Sequence, residues 1–242
     1  MTKKKEHIYL FEYNFLTIQI FCLVLTVLFV ALTIGIYKVF NFDFIPSMEA
    51  VVESLLGGKF VLFMIVMMIW LLLHEVIHGV SYVFYGANYK NIKYGVVLEK
   101  GILYCKCGQY IDKKNILWSV INPFLYIGVV TLLLGFAFES IWLIALSLIN
   151  ISGACADILM FLFFVRRNKD MKFKEIKDSS TFVLKTTEDL TNKKFFAVKL
   201  KEELTDDEFK EKDKLITITK FSKVLLIILG VLLLLSLILS FL

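Results

Sequence analysis

Residues 70–80 read Trp70-Leu71-Leu72-Leu73-His74-Glu75-Val76-Ile77-His78-Gly79-Val80, an H-E-x-x-H inside an apolar run. Positions i and i+4 of a helix share a face, so both imidazoles can reach one zinc ion. Glu75 stands beside them, able to accept a proton from a water activated by that ion. The chain holds only three histidines, and two fall in this motif. A bland alternative has both histidines satisfied by neighbouring backbone or serine groups. It leaves Glu75 with no basic partner, whereas a bound cation supplies one.

Outward from the motif the chain is greasy. Of 242 residues, 58% are hydrophobic, and the 20% that are charged cluster between long uncharged stretches. Soluble domains are nearer 45–50% apolar. The composition excludes disorder, a collagen-like fibre and a disulfide-stapled secreted domain. Five segments have the roughly 20 apolar residues that cross a bilayer: 14–37, 60–84, 116–137, 141–165 and 222–242. The first follows Lys3, Lys4 and Lys5 but is too long for a signal peptide and reads as a retained anchor.

Lysine placement orients these spans. The N-terminus, loop 87–114 and the start of segment 166–220 are basic, while loop 41–58 has Asp43, Glu49 and Glu53 and no Lys or Arg. The positive-inside rule puts the basic segments in the cytoplasm and the C-terminus outside. The expected location is the bacterial plasma membrane. The net charge of +5 thus reflects topology, and no nucleic-acid partner is expected.

Two pieces lie outside the spans. Tyr94–Leu98 and Ile102–Cys105, around Glu99-Lys100-Gly101, read as a cytoplasmic β-hairpin within 92–107. Segment 166–220 offers Thr181–Leu184, Phe195–Leu200 and Leu215–Thr219 as strands, with a helix-like stretch at 204–213, and reads as a small α+β insert. Cys105 and Cys107 have no second cysteine pair or nearby histidine, which favours reduced thiols over a zinc knuckle. Cys22 and Cys155 read as small buried hydrophobes.

Spans two to four contain no Lys or Arg and one further acid, Asp157. Measured from the outer ends of their spans, His74 lies about 21 Å deep and Asp157 about 24 Å. Asp157 is therefore the candidate third ligand, leaving a fourth position open for water. Asn150 lies two helical turns before Asp157. In Asn122-Pro123 the proline frees a backbone carbonyl and kinks the helix; that carbonyl, or the Asn122 amide, could line the site. Asn122 and Asn150 are candidate substrate contacts, with interhelical bonding the plainer reading.

Taken together, the H-E-x-x-H helix, the hairpin with Cys105-Lys106-Cys107, the Asn-Pro helix and the Ser-Gly-Ala-Cys-Ala-Asp helix resemble the intramembrane zincin peptidases. The resemblance is to the site-2 protease-like clan, most closely the DUF3267 family of zincin peptidases, and covers about 60–165. It implies zinc on His74, His78 and Asp157, with Glu75 activating water. The chain departs from better-known site-2 proteases: Asn122 and Pro123 are adjacent, where those have N-x-x-P, and Asp157 is followed by Ile158 rather than Gly.

The expected architecture is all-α, with five transmembrane helices, the hairpin and the α+β insert. Its divisions are an anchor and outer loop (1–58), a zincin-like core (59–165), the insert (166–220) and a last helix (221–242). The expected activity is zinc-dependent cleavage of membrane-embedded or membrane-proximal peptide bonds, the partners being a membrane protein or peptide substrate and the bilayer. An extended substrate could add to the hairpin edge. The competing class is a metal-binding but inactive scaffold acting through its insert. A transporter ranks last, for want of internal repeats.

Overall fold

Asn14 closes a strand and opens a helix: its side chain accepts the Thr17 N–H at 3.3 Å, the capping bond that starts a helix cleanly. The strand before it is β1, His7–Tyr13, and the helix after it is α1, Phe15–Val39. The computed structural model describes residues 5–40, 42, 58–97, 102–176 and 181–209. The expected span 222–242, the strand Leu215–Thr219, nearly all of loop 41–58 and the hairpin's Glu99-Lys100-Gly101 turn lie outside the described residues.

Helix α2, Gly58–Phe84, carries the H-E-x-x-H and ends at Gly86, whose φ of +96° is the left-handed conformation that favours glycine after a helix. Strands β2 (Ile92–Val97) and β3 (Ile102–Cys107) follow as an antiparallel hairpin with Tyr94 opposite Cys105. The hairpin lies against α2. A Cβ placed on Gly79 would fall 1.8 Å from the Tyr94 hydroxyl, so glycine is what allows this approach.

Strand β4 (Ile111–Asp112) leads into α3 (Lys113–Pro123), a π-helical stretch (Phe124–Val129) and α4 (Val130–Ala137). Helices α5 (Ile141–Gly153) and α6 (Cys155–Val165) meet at a 48° bend. Strands β5 (Lys172–Glu175), β6 (Thr181–Thr186) and β7 (Val198–Leu204) then join β4 and β1 in an antiparallel sheet ordered β4-β5-β6-β1-β7.

The all-α expectation with five spans is therefore corrected. A five-stranded sheet stands beside the two-stranded hairpin. Among the described residues three helical stretches are long and apolar enough to cross a membrane: Phe15–Val39, Phe60–Phe84 and Lys113–Ala137. The bent pair α5–α6 makes a fourth only if counted as one span. Two physical causes account for the difference. Strand β1 sits inside the sheet with Ile8, Tyr9, Leu10 and Phe11 all buried, so both its faces are covered and the polar–apolar alternation that marks a strand is absent. The helix expected over 141–165 breaks at Ser152-Gly153-Ala154, where Ala154 has ψ near 3°. Serine and glycine are poor formers of a helix interior.

The sheet is welded to the helix ends by aromatic rings. Phe11 packs on Phe163 at 5.5 Å and stacks on Phe182 at 5.3 Å. Arg167, just past α6, lies over Phe163 and Phe195 and pairs with Glu188 at 3.2 Å. Lys113 Nζ donates to the Val165 carbonyl at 2.8 Å, satisfying the C-terminal end of α6. The sheet thereby closes over the end of the bundle where the charged residues gather.

Candidate metal centre

Helix α2 presents His74 and His78 on one face, with ring centroids 4.9 Å apart and both residues buried. The bend before α6 puts Asp157 in that helix's first turn, turned toward them. His74 Nε2 is 3.0 Å from Asp157 Oδ2, and His78 Nε2 is 3.3 Å from Asp157 Oδ1. One donor atom from each residue lies within 4.8 Å of the others. With metal–ligand bonds of about 2.05 Å, the edge of a tetrahedron is about 3.3 Å, so these separations suit a zinc-sized ion.

The other nitrogen of each ring is held from behind. His74 Nδ1 donates to Asn150 Oδ1 at 2.9 Å. His78 Nδ1 donates to the Ser119 carbonyl at 2.8 Å. With Nδ1–H committed, each ring turns its Nε2 toward Asp157 and the centre, the arrangement that orients metal-ligating histidines. Pro123 explains the second bond. In an α-helix the Ser119 carbonyl would accept the N–H four residues on, and proline has none. The freed carbonyl is taken by His78. Donor set, ring orientation and spacing all fit a divalent ion of the zinc type.

A cavity of about 450 Å³ opens onto the centre. His74, Glu75, His78 and Asp157 line it, as do Ile18, Gln19 and Cys22 of α1 and the β3 residues Leu103 to Lys106. The Glu75 carboxylate stands beside the histidines in this cavity, on the side of the Cys105 N–H. The two candidate asparagines do not line the cavity. Asn150 is 1% exposed and stands behind His74. Asn122 Nδ2 donates to Ser81 Oγ at 2.9 Å, tying α3 to α2.

Glu175 is a cavity residue that sequence reasoning did not reach. It ends β5, and its Oε2 accepts the Cys107 N–H at 2.9 Å. Burial raises its carboxyl to about 7, against the Cys107 N–H and the charges of Lys106 and His78, which favour the anion. Its four-residue strand, Lys-Phe-Lys-Glu, carries no chemical motif, and only the tertiary fold brings it to the centre. The thiols nearby are inert: burial pushes Cys105 well up and Cys107 to about 11, so both stay protonated at neutral pH. All four cysteines are free.

No curated protein and no solved structure matches this chain. A family model does. It spans residues 61–172, which include nearly all of α2, the hairpin, α3 to α6 and His74, Glu75, His78 and Asp157, and leave out α1, β1, β6, β7 and all but the first residue of β5. This stretch matches the model of the DUF3267 family, described as "Putative zincin peptidase".

Proposed function

We propose that the chain is a zinc-dependent peptidase that hydrolyses peptide bonds within or next to the membrane. The observation that carries this reading is the convergence of His74 Nε2, His78 Nε2 and the Asp157 carboxylate, with Glu75 in the same cavity. When bound, zinc supplies Lewis-acid polarisation of the scissile carbonyl and acidifies the attacking water. The three ligands belong to α2 and α6, and their second bonds to Asn150 and Ser119 hold the rings ready before any substrate arrives.

Glu75 takes the proton from the water as its oxygen attacks the carbonyl carbon, then hands it to the amide nitrogen as the C–N bond breaks. A substrate helix hides its carbonyls in its own hydrogen bonds and must unwind locally. The cavity-facing strand β3, with Leu103 to Lys106 along the wall, offers an edge on which the unwound stretch could lie. The exposed apolar faces of α1 and α2, with Leu16, Leu23, Leu62 and Val80 among their residues, support a bilayer setting.

The test is cleavage of model transmembrane peptides by zinc-loaded protein reconstituted in vesicles. Wild type should cut at least one peptide, and Glu75→Gln should keep its zinc and lose at least a hundredfold in rate, the scale of general-base removal. Equal rates from both proteins would contradict the assignment of Glu75. An inactive scaffold would give no cleavage from either.

A further inference from the structure

Glu175 sits on the same strand edge as the proposed general base. Cys105 and Cys107 are alternate residues of β3, so their N–H groups point the same way, about 6.8 Å apart. A carboxylate stands by each: Glu75 of the H-E-x-x-H helix on the side of the Cys105 N–H, and Glu175 of the five-stranded sheet accepting the Cys107 N–H at 2.9 Å. Both carboxylates line one cavity, whose wall near Glu175 is largely apolar, with Met160, Phe164 and Phe173. Lys106 is a nearby cation among the described residues; its Nζ donates to the Ile176 carbonyl at 3.2 Å and lies 4.8 Å from the centre of the Tyr104 ring.

An extended peptide laid along β3 would offer a carbonyl to the Cys107 N–H and release the Glu175 carboxylate. A released anion against an apolar wall costs free energy unless a cation meets it. With the bond under attack beside Glu75, the substrate residue beside Glu175 is two positions along, since strand residues advance about 3.4 Å each. Transmembrane segments carry Lys and Arg at one flank, which gives such a residue a ready source. An acidic residue there would meet like charge.

We propose that Glu175 is a specificity-determining residue: it recognises a lysine or arginine of the substrate, two residues from the scissile bond on the side nearer the soluble sheet. This rests on the peptidase reading for its occupant, and it adds a substrate class that the metal centre alone does not define. The recognition is an ion pair formed in exchange for the Cys107 N–H bond.

The experiment uses dye-labelled apolar peptides that differ only in Lys, norleucine or Glu at one scanned position, titrated onto full-length Glu75→Gln protein in micelles. At one position Lys should tighten binding on the order of tenfold over norleucine, as for a partly desolvated charge pair, and Glu should weaken it. Adding Glu175→Gln, which keeps an acceptor for the Cys107 N–H, should erase the difference, and Glu175→Lys should reverse the order. Equal binding of Lys and norleucine peptides at every position, or a Lys preference that survives Glu175→Gln, would overturn the proposal. Cleavage by zinc-loaded wild type separates the two claims. Charge-independent cutting contradicts the role of Glu175 alone, while charge-selective binding without cutting supports it and contradicts the peptidase reading.

Discussion

The Nδ1–H of His78 donates to the backbone carbonyl of Ser119 at 2.8 Å, and that carbonyl is free because Pro123, four residues on, has no N–H to offer it. A proline on one helix thus orients a candidate metal ligand on another. Pro123→Ala restores the competing N–H. It should raise helix stability, because proline is the worst interior residue, yet weaken metal binding by about 10–100-fold, the range for losing a hydrogen bond behind a ligand. Chelator competition on both proteins measures this, and unchanged affinity would contradict the orienting role.

Asn150 does the same for His74 across 2.9 Å. Asn150→Leu removes the acceptor and should also lower metal affinity by about 10–100-fold, while Asn150→Asp, which keeps an oxygen there, should retain most of it. If leucine and aspartate behaved alike, Asn150 would be a packing residue only.

Gly79 is where the hairpin meets α2. A methyl group there would collide with the Tyr94 hydroxyl at 1.8 Å. Gly79→Ala should cost about 1–3 kcal/mol, the range for overpacking. Combining it with Tyr94→Ala should cost less than the sum of the two single changes. Thermal melts of the four proteins form the cycle, and simple additivity would show that the contact is not limiting.

The Glu175 carboxyl, raised by burial to about 7, gives a signed pH effect. The folded protein holds that proton more tightly than the unfolded chain. Its contribution to stability is therefore fully present below about pH 4.5 and is lost as pH rises through about 7. Glu175→Gln does not titrate. Its melting temperature relative to wild type should rise between about pH 5 and pH 8. A difference that stays flat over this range would mean the carboxyl is not raised. The groups acting on it include the Cys107 N–H, Lys106, His78 and Glu75, with Tyr13, Tyr82 and Cys105 also near it.

Part of this architecture was legible because it rests on local chemistry. Histidines four apart on a helix share a face in any surroundings. Counting residues from the span ends set His74 and Asp157 at similar depths, and their side chains meet at 3.0 Å. Even a carbonyl freed by Pro123 could be foreseen, though not its partner. The sheet was hidden for a different reason. β1 is buried on both faces, so His7–Tyr13 reads as the flank of an apolar anchor and not as a strand between β6 and β7. The bend at Gly153 was hidden because an apolar run of span length does not report a break. Glu175 was hidden because nothing local marks a strand-end glutamate that pairing with β6 and a Cys107 N–H carries into a distant cavity.

The central claim is that His74, His78 and Asp157 hold one divalent metal ion. Elemental analysis of the detergent-purified full chain, beside His78→Ala, Asp157→Ala and Glu75→Gln, tests it most directly. Wild type and Glu75→Gln should carry about one zinc per chain, and the two ligand variants close to none, as expected for a single site with three protein ligands. Metal undiminished in either His78→Ala or Asp157→Ala, or absent from zinc-supplied wild type, would contradict it.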